Sequence, residues 1–126
     1  MSYELELRGF VHRNCSGQII NQMRYASPFQ LYKWKEQGTE ISIMLFSGKL
    51  DKNNRKIFAG DLHKDETIVD GEMKASYYPI IFEDASFWVD ESFKKDGTCL
   101  IPLSEYPEPI NIQGNIFENP NYKSEG

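Results

Sequence analysis

Asp61, His63 and Asp65 occupy alternate positions in the segment "GDLHKDE". On an extended strand, alternate side chains share one face, and two carboxylates beside an imidazole form a ligand set for a divalent cation. The same alternation also arises on any solvent-facing strand. Asp61, directly after Gly60, suits a different task, that of accepting backbone amides in a turn or bulge. The second reading is adopted and no metal site is expected. Other catalytic arrangements have less behind them. His12, His63 and several serines are present, but there is no Gly-x-Ser-x-Gly elbow and no Cys–His spacing of a hydrolase. The carboxylate pairs Asp65-Glu66, Glu83-Asp84 and Asp90-Glu91 lie in turn-like contexts, where solvated charge accounts for them. No glycine-rich loop is available to cradle a phosphate. The expectation is a protein that is not an enzyme, with no catalytic residue and no cofactor.

Binding chemistry has more support. Lys49, Lys52, Arg55, Lys56 and Lys64 lie close together around Phe58. Small β-barrels bind single-stranded nucleic acid by stacking bases on aromatics beside a cationic groove, so these six residues are candidate contacts. Lysines on a hairpin also protect a sheet edge from aggregation, and the net charge of −5 opposes binding to a polyanion. Nucleic acid is therefore the second reading. The first is a protein partner, either a different protein or another copy of this chain. Eight Phe, seven Tyr and two Trp exceed what a small core must hold. Tyr32, Trp34, Tyr77, Tyr78 and Trp88 are the candidate interface residues, of the types that dominate binding hot spots. The charge is also uneven. Residues 1–64 hold ten Lys/Arg against six Asp/Glu, and residues 65–126 hold four against thirteen. This split fits head-to-tail association if the two halves stay apart in space.

The elements that must position these residues follow from pattern. A chain of 126 residues fits one domain, with 121–126 as a loose tail. No run approaches the roughly 18 apolar residues that span a bilayer, and "MSYELELRGF" carries carboxylates where a signal peptide needs an apolar core. A soluble, unexported protein with no membrane partner is expected, with Cys15 and Cys99 free. "YELELRGFV" alternates, with Tyr3, Leu5, Leu7 and Val11 on one face and Glu4, Glu6 and Arg8 on the other, as a half-buried strand does. "NCSG" then turns the chain into "QIINQMRY", where Ile19, Met23 and Tyr25 share a side. Ser27, Pro28 and Gln30 predict a helix over 28–37 ended by Gly38, although alternation leaves a strand open there. The segment 41–46, apolar on both faces, predicts a covered strand. "KIFAGDLHK" predicts the next strand, across a loop in which Asn53 and Asn54 tolerate positive φ. A second hairpin is predicted around 83–86, with Pro79 at a strand start or edge. A turn at Asp96-Gly97, a strand at 99–103 and a final strand with a bulge at Gly114 complete the reading. The predicted fold is mostly β with at most one short helix, a compact small barrel-like domain built from hairpins.

The residues "TEISIMLFSGKLDKNNRKIFAGDLHKD" resemble the YopX family of phage and prophage proteins. That family runs a strand into Thr-Gly-Leu, then Asp-Lys-Asn-Gly, then an Ile-aromatic pair, then Gly-Asp-Ile-Val. Here Ser47-Gly48, Asp51-Lys52-Asn53-Asn54, Ile57-Phe58 and Gly60-Asp61-Leu62 follow that order and spacing. "IQGNIFENP" at 112–120 is similar to the family's Ile-Gly-Asn-Ile-Tyr-Glu-Asn-Pro ending, and "ELRGFVHRNCSGQI" is a fainter match to its first hairpin. Lys49 is inserted in the Gly-Leu step, Asn54 replaces a glycine and His63 stands where an apolar residue is usual. The resemblance implies a mostly-β domain of phage or prophage origin in a bacterial cytoplasm, with Gly48, Asp51, Asn53, Asn54, Gly60, Asp61, Gly114 and Asn115 as its structural motif. It implies no mechanism.

Overall fold

The computed structural model describes residues 6–94 and 97–124. Tyr3 and Leu5 of the predicted first strand, Asp96 of the predicted turn, and residues 125 and 126 lie outside the described residues. The fold is mostly β, as predicted, with nine strands, one α-helix and three short 3-10 turns among the described residues. The chain divides into two compact units, Met1–Phe46 and Ser47–Gly126.

In the first unit, β1 (Leu7–Arg13) lies between β2 (Ile19–Tyr25) and β3 (Glu40–Leu50) and is antiparallel to both. One expectation is corrected. Residues 7–11 are all buried, Arg8 included, so β1 is covered on both faces rather than half-buried. The turn into β2 is closed by the Asn14 side chain, whose Oδ1 accepts the amides of Ser16 and Gln18 at 3.0 and 2.9 Å. Asn21 adopts φ +50° and breaks the alternation of β2. Ile20 therefore packs on the local core, while Ile19 and Tyr25 stay exposed.

The helix is present as α1 (Pro28–Glu36), which resolves the helix-or-strand ambiguity. Ser27 Oγ accepts the Gln30 amide at 3.2 Å, and Pro28 stands in the first turn where no donor is needed. Leu31 on the inner face is fully buried with Leu7, Val11 and Ile41. Its approach depends on Gly9, where an added Cβ would lie 2.5 Å from Ile41 Cδ1 and 3.1 Å from Leu31 Cδ2.

Strand β3 continues to Leu50, and β4 (Lys56–Phe58) is its next neighbour, in the order β2-β1-β3-β4. The second unit contains a sheet ordered β8-β7-β6-β5-β9, made of β5 (Asp61–Val69), β6 (Glu72–Glu83), β7 (Ser86–Asp90), β8 (Leu100–Pro102) and β9 (Ile112–Asn115). Its core gathers Ile57, Tyr78, Ile80, Val89, Leu103, Ile110 and Ile112. "KIFAGDLHK" is two strands, β4 and the start of β5, because Gly60 at φ +97° turns the chain between them. The hairpin at 83–86 is present, with Asp84 and Ala85 both at positive φ. Pro79 sits inside β6 rather than at a start. There the ladder with β5 ends and the ladder with β7 begins, and a missing donor breaks neither run.

The bulge predicted at Gly114 is also present. Asp61 and His63 stand opposite Asn115 and Ile112, so β9 carries one extra residue, and Gly114 takes φ +87°. Tyr122 lies in a 3-10 turn and packs edge-on against Phe93 at 6.0 Å, so one side chain of the predicted tail is packed. Cys15 and Cys99 are free thiols.

Candidate functional site

The three residues whose spacing suggested a cation are divided by the fold. Asp61 is buried and turned toward its own turn, where Oδ2 accepts the Phe58 amide at 2.8 Å. That is the structural role weighed against metal binding. His63 and Asp65 remain together, and Glu108, from the segment before β9, joins them. Ligand-type atoms of all three lie within 4.8 Å of one another. The imidazole decides what this cluster can do. His63 Nδ1 accepts the Asn111 backbone N–H at 2.9 Å, so the proton of the neutral ring sits on Nε2. Nε2 therefore offers a donor and not a lone pair. A cation here would rest on Asp65 and Glu108 alone, and the residues do not fit a metal centre. Burial lowers the His63 pKa, although Asp65 and Glu91 pull the other way, so the ring is held neutral. Tyr106 packs edge-on against the ring at 5.1 Å and donates its hydroxyl to Glu91 Oε2 at 2.6 Å. Burial and then Asp65 raise the Glu108 pKa.

A cleft of about 210 Å³ beside this cluster is lined by Lys52, His63, Lys64, Glu66, Glu108 and Asn111. It falls below the roughly 300–1,000 Å³ of organic-ligand pockets, and Pro109 is the one apolar residue among charged and polar ones in its lining.

The basic segment is organised around Asp51. This carboxylate is buried, and its Oδ1 accepts the amides of Asn53 and Arg55, each at 2.8 Å, while Oδ2 accepts the Ile112 amide at 3.1 Å. Burial alone would raise its pKa, but these three amides outweigh burial and hold it below the usual carboxylate range. Lys52 N–H donates to Ile110 O at 2.8 Å, so the loop is tied to the segment entering β9. Of the six candidate nucleic-acid contacts, Lys49, Lys52, Arg55 and Lys56 are exposed. Arg55 also donates to Ile112 O at 3.2 Å, and Lys64 pairs with Glu66 at 3.1 Å. Phe58 is only 4% exposed and offers no face for a base, which corrects its assignment as a stacking residue.

A family model described as YopX protein matches residues 3–122. The chain belongs to the YopX family. The crystal structure of protein EF1440 from Enterococcus faecalis is similar in fold, with a TM-score of 0.56 and 20% identity over 95% of this chain and 98% of that one. No curated protein matches the sequence.

In this YopX-family chain the motif residues hold backbone. Asp51 ties Asn53 and Arg55 to β9, Asn54 takes φ +62° in the same loop, and Gly48 takes φ +83°. Asn115 Oδ1 accepts the amides of Phe117 and Glu118 at 3.0 and 2.9 Å. A Cβ at Gly114 would collide with Asn119 Oδ1, which accepts the Asn115 amide.

The candidate interface aromatics are scattered between roles. Tyr78 is buried against Phe93 and belongs to the core, and Trp34 is half-buried on the first unit's core. Trp88 is half-buried and donates Nε1–H to Glu83 O at 2.9 Å. Tyr77 is half-buried beside a second cleft, and Tyr32 is exposed.

A surface that the sequence reading missed is the end of the β5–β6 hairpin. From Glu66 to Lys74 every residue is exposed, so this two-stranded ribbon is covered on neither face. Ile68, 71% exposed, pairs across the strands with Met73, 61% exposed, and Val69 follows on the opposite face. The signal was the dipeptide Asp70-Gly71, both residues at positive φ as a type I′ turn requires, with Ile68 and Val69 before it and Met73 two residues after it.

Proposed function

We propose that this YopX-family chain is a non-enzymatic protein-binding module of a phage or prophage, acting in the bacterial cytoplasm, and that the β5–β6 ribbon is its contact arm. The observation that supports this is the exposed Ile68–Met73 pair on a ribbon solvated on both faces. Two-stranded hairpins are marginally stable in water, and a further strand or a covering layer is what gives them independent stability. A partner that docks on the arm supplies that layer. The buried, neutral His63 and the small charged cleft favour binding over catalysis. The family resemblance supports the phage setting. It is consistent with the compartment that no helix among the described residues is long and apolar enough to cross a membrane.

The test is site-specific photocrosslinking in the bacterial cytoplasm. A benzophenone side chain replaces Ile68 in one variant and the exposed Lys123 in another. Adducts of defined mass are expected from position 68, absent from position 123, and lost when Met73→Asp is added. No arm-specific adduct overturns the proposal.

A further inference from the structure

The geometry points to a second copy of this chain as the partner of the arm, joined by antiparallel pairing of the two β6 edges about Met73. The inference rests on the arm being a contact surface and names what it contacts. On one side β6 pairs with β5 over Glu72 to Pro79. On its other side it pairs with β7 only from Ile80 to Glu83. The outer edge of β6 from Glu72 to Tyr77 thus carries no strand ladder among the described residues. Such an edge accepts an added strand.

Charge selects the occupant and the register. Around Met73 the edge reads Glu72, Met73, Lys74. With a two-fold axis at Met73, Glu72 of each copy stands opposite Lys74 of the other, and Met73 meets Met73. An axis at Lys74 would instead oppose two ammonium groups. Opposite charges directly across an antiparallel pair stabilise it, and like charges there are unfavourable. Neither Glu72 nor Lys74 is in an ion pair among the described residues. Alternation adds the apolar part. Ile68 lies beside Met73 on one face, so the axis generates a continuous row of Ile68, Met73, Met73 and Ile68 across four strands. On the opposite face Val69 pairs with Glu72 and Thr67 with Lys74, which flank the two ion pairs. The contact is isologous and closes as a dimer.

Sedimentation velocity over a broad concentration range tests this on the wild type and four variants. All the changes fall at exposed positions, and circular dichroism with thermal unfolding checks that each variant folds. The wild type is expected to pass from monomer to dimer as concentration rises, and Met73→Asp to remain monomeric. Glu72→Lys and Lys74→Glu are each expected to weaken association at least about tenfold, and the double exchange E72K/K74E to restore it. A dimer that ignores all four variants overturns the edge pairing. So does a wild type that is monomeric throughout. If that monomer still gives adducts of heterologous mass from position 68, the protein-binding role stands and only self-pairing falls. Absence of both adduct and dimer overturns both proposals.

Discussion

Asp51 shows how one side chain can hold together segments far apart in sequence. Its two oxygens satisfy three backbone donors, one of them 61 residues away. Replacing it with Ala leaves those buried or half-buried amides without their acceptor. The expected cost is about 3 kcal/mol of unfolding free energy, read from urea denaturation, since each orphaned group costs roughly 1–3 kcal/mol. Charge reversal at the exposed Lys49 should change stability by less than about 0.5 kcal/mol. Equal losses from the two changes would overturn the anchoring role. The Asp-Lys-Asn motif was legible in the sequence as a turn, because Asn53 and Asn54 tolerate positive φ. The bond from Asp51 to Ile112 was not legible, because no local pattern records a partner in a distant strand. The burial of Phe58 is illegible for a related reason. Its neighbours are basic and exposed, but alternation within a three-residue strand does not fix which face is covered.

At the scale of elements, the helix was readable from its ends, since Ser27, Pro28 and Gly38 act locally. Its docking was not, since it depends on the missing side chain of Gly9 on a different element. Gly9→Ala should push Ile41 and Leu31 aside and cost about 1–3 kcal/mol, the usual range for overpacking. A thermal unfolding midpoint equal to wild type would show that the helix has room to move. The β5–β6 ribbon illustrates the opposite case. Asp70-Gly71 with Ile68, Val69 and Met73 around it carries the hairpin signal, while the charged and aromatic residues on either side of it give stronger local patterns. The covered state of β1 was hidden because alternation places Arg8 on a solvent face, whereas in the fold its guanidinium lies against Met44 Sδ at 3.4 Å, a partner 36 residues away.

At the scale of the whole molecule, acid should weaken the fold through His63. Burial holds its folded pKa below the ordinary imidazole value of about 6.5, with Lys52 adding to that effect and Asp65 and Glu91 opposing it. The unfolded chain therefore takes up the proton first. Stability is complete above about pH 6.5 and declines as pH falls through the folded value. Protonation would also remove the acceptor that Asn111 N–H uses. Glu108 acts with the opposite sign, since its raised pKa lets the folded state bind a proton before the unfolded one does, and it offsets part of the loss at lower pH. Unfolding midpoints measured from about pH 8 to about pH 5 should fall in the wild type and fall less in His63→Gln. Equal slopes would remove His63 as the sensor. The mostly-β class was legible because nine strands are bounded by local turn residues, whereas the division into two units was not, because it depends on which distant strands share a core.

The tie between the Asp51 loop and β9 also sets an order of events during synthesis. A ribosome releases the chain from its N-terminus, so the three partner amides of Asp51 do not emerge together. Two appear within four residues, and the third waits for Ile112. The first unit's internal partners are all out once residue 46 has cleared the exit tunnel. A nascent chain arrested between these points therefore holds a first unit free to fold and a basic loop whose final strand has yet to be made.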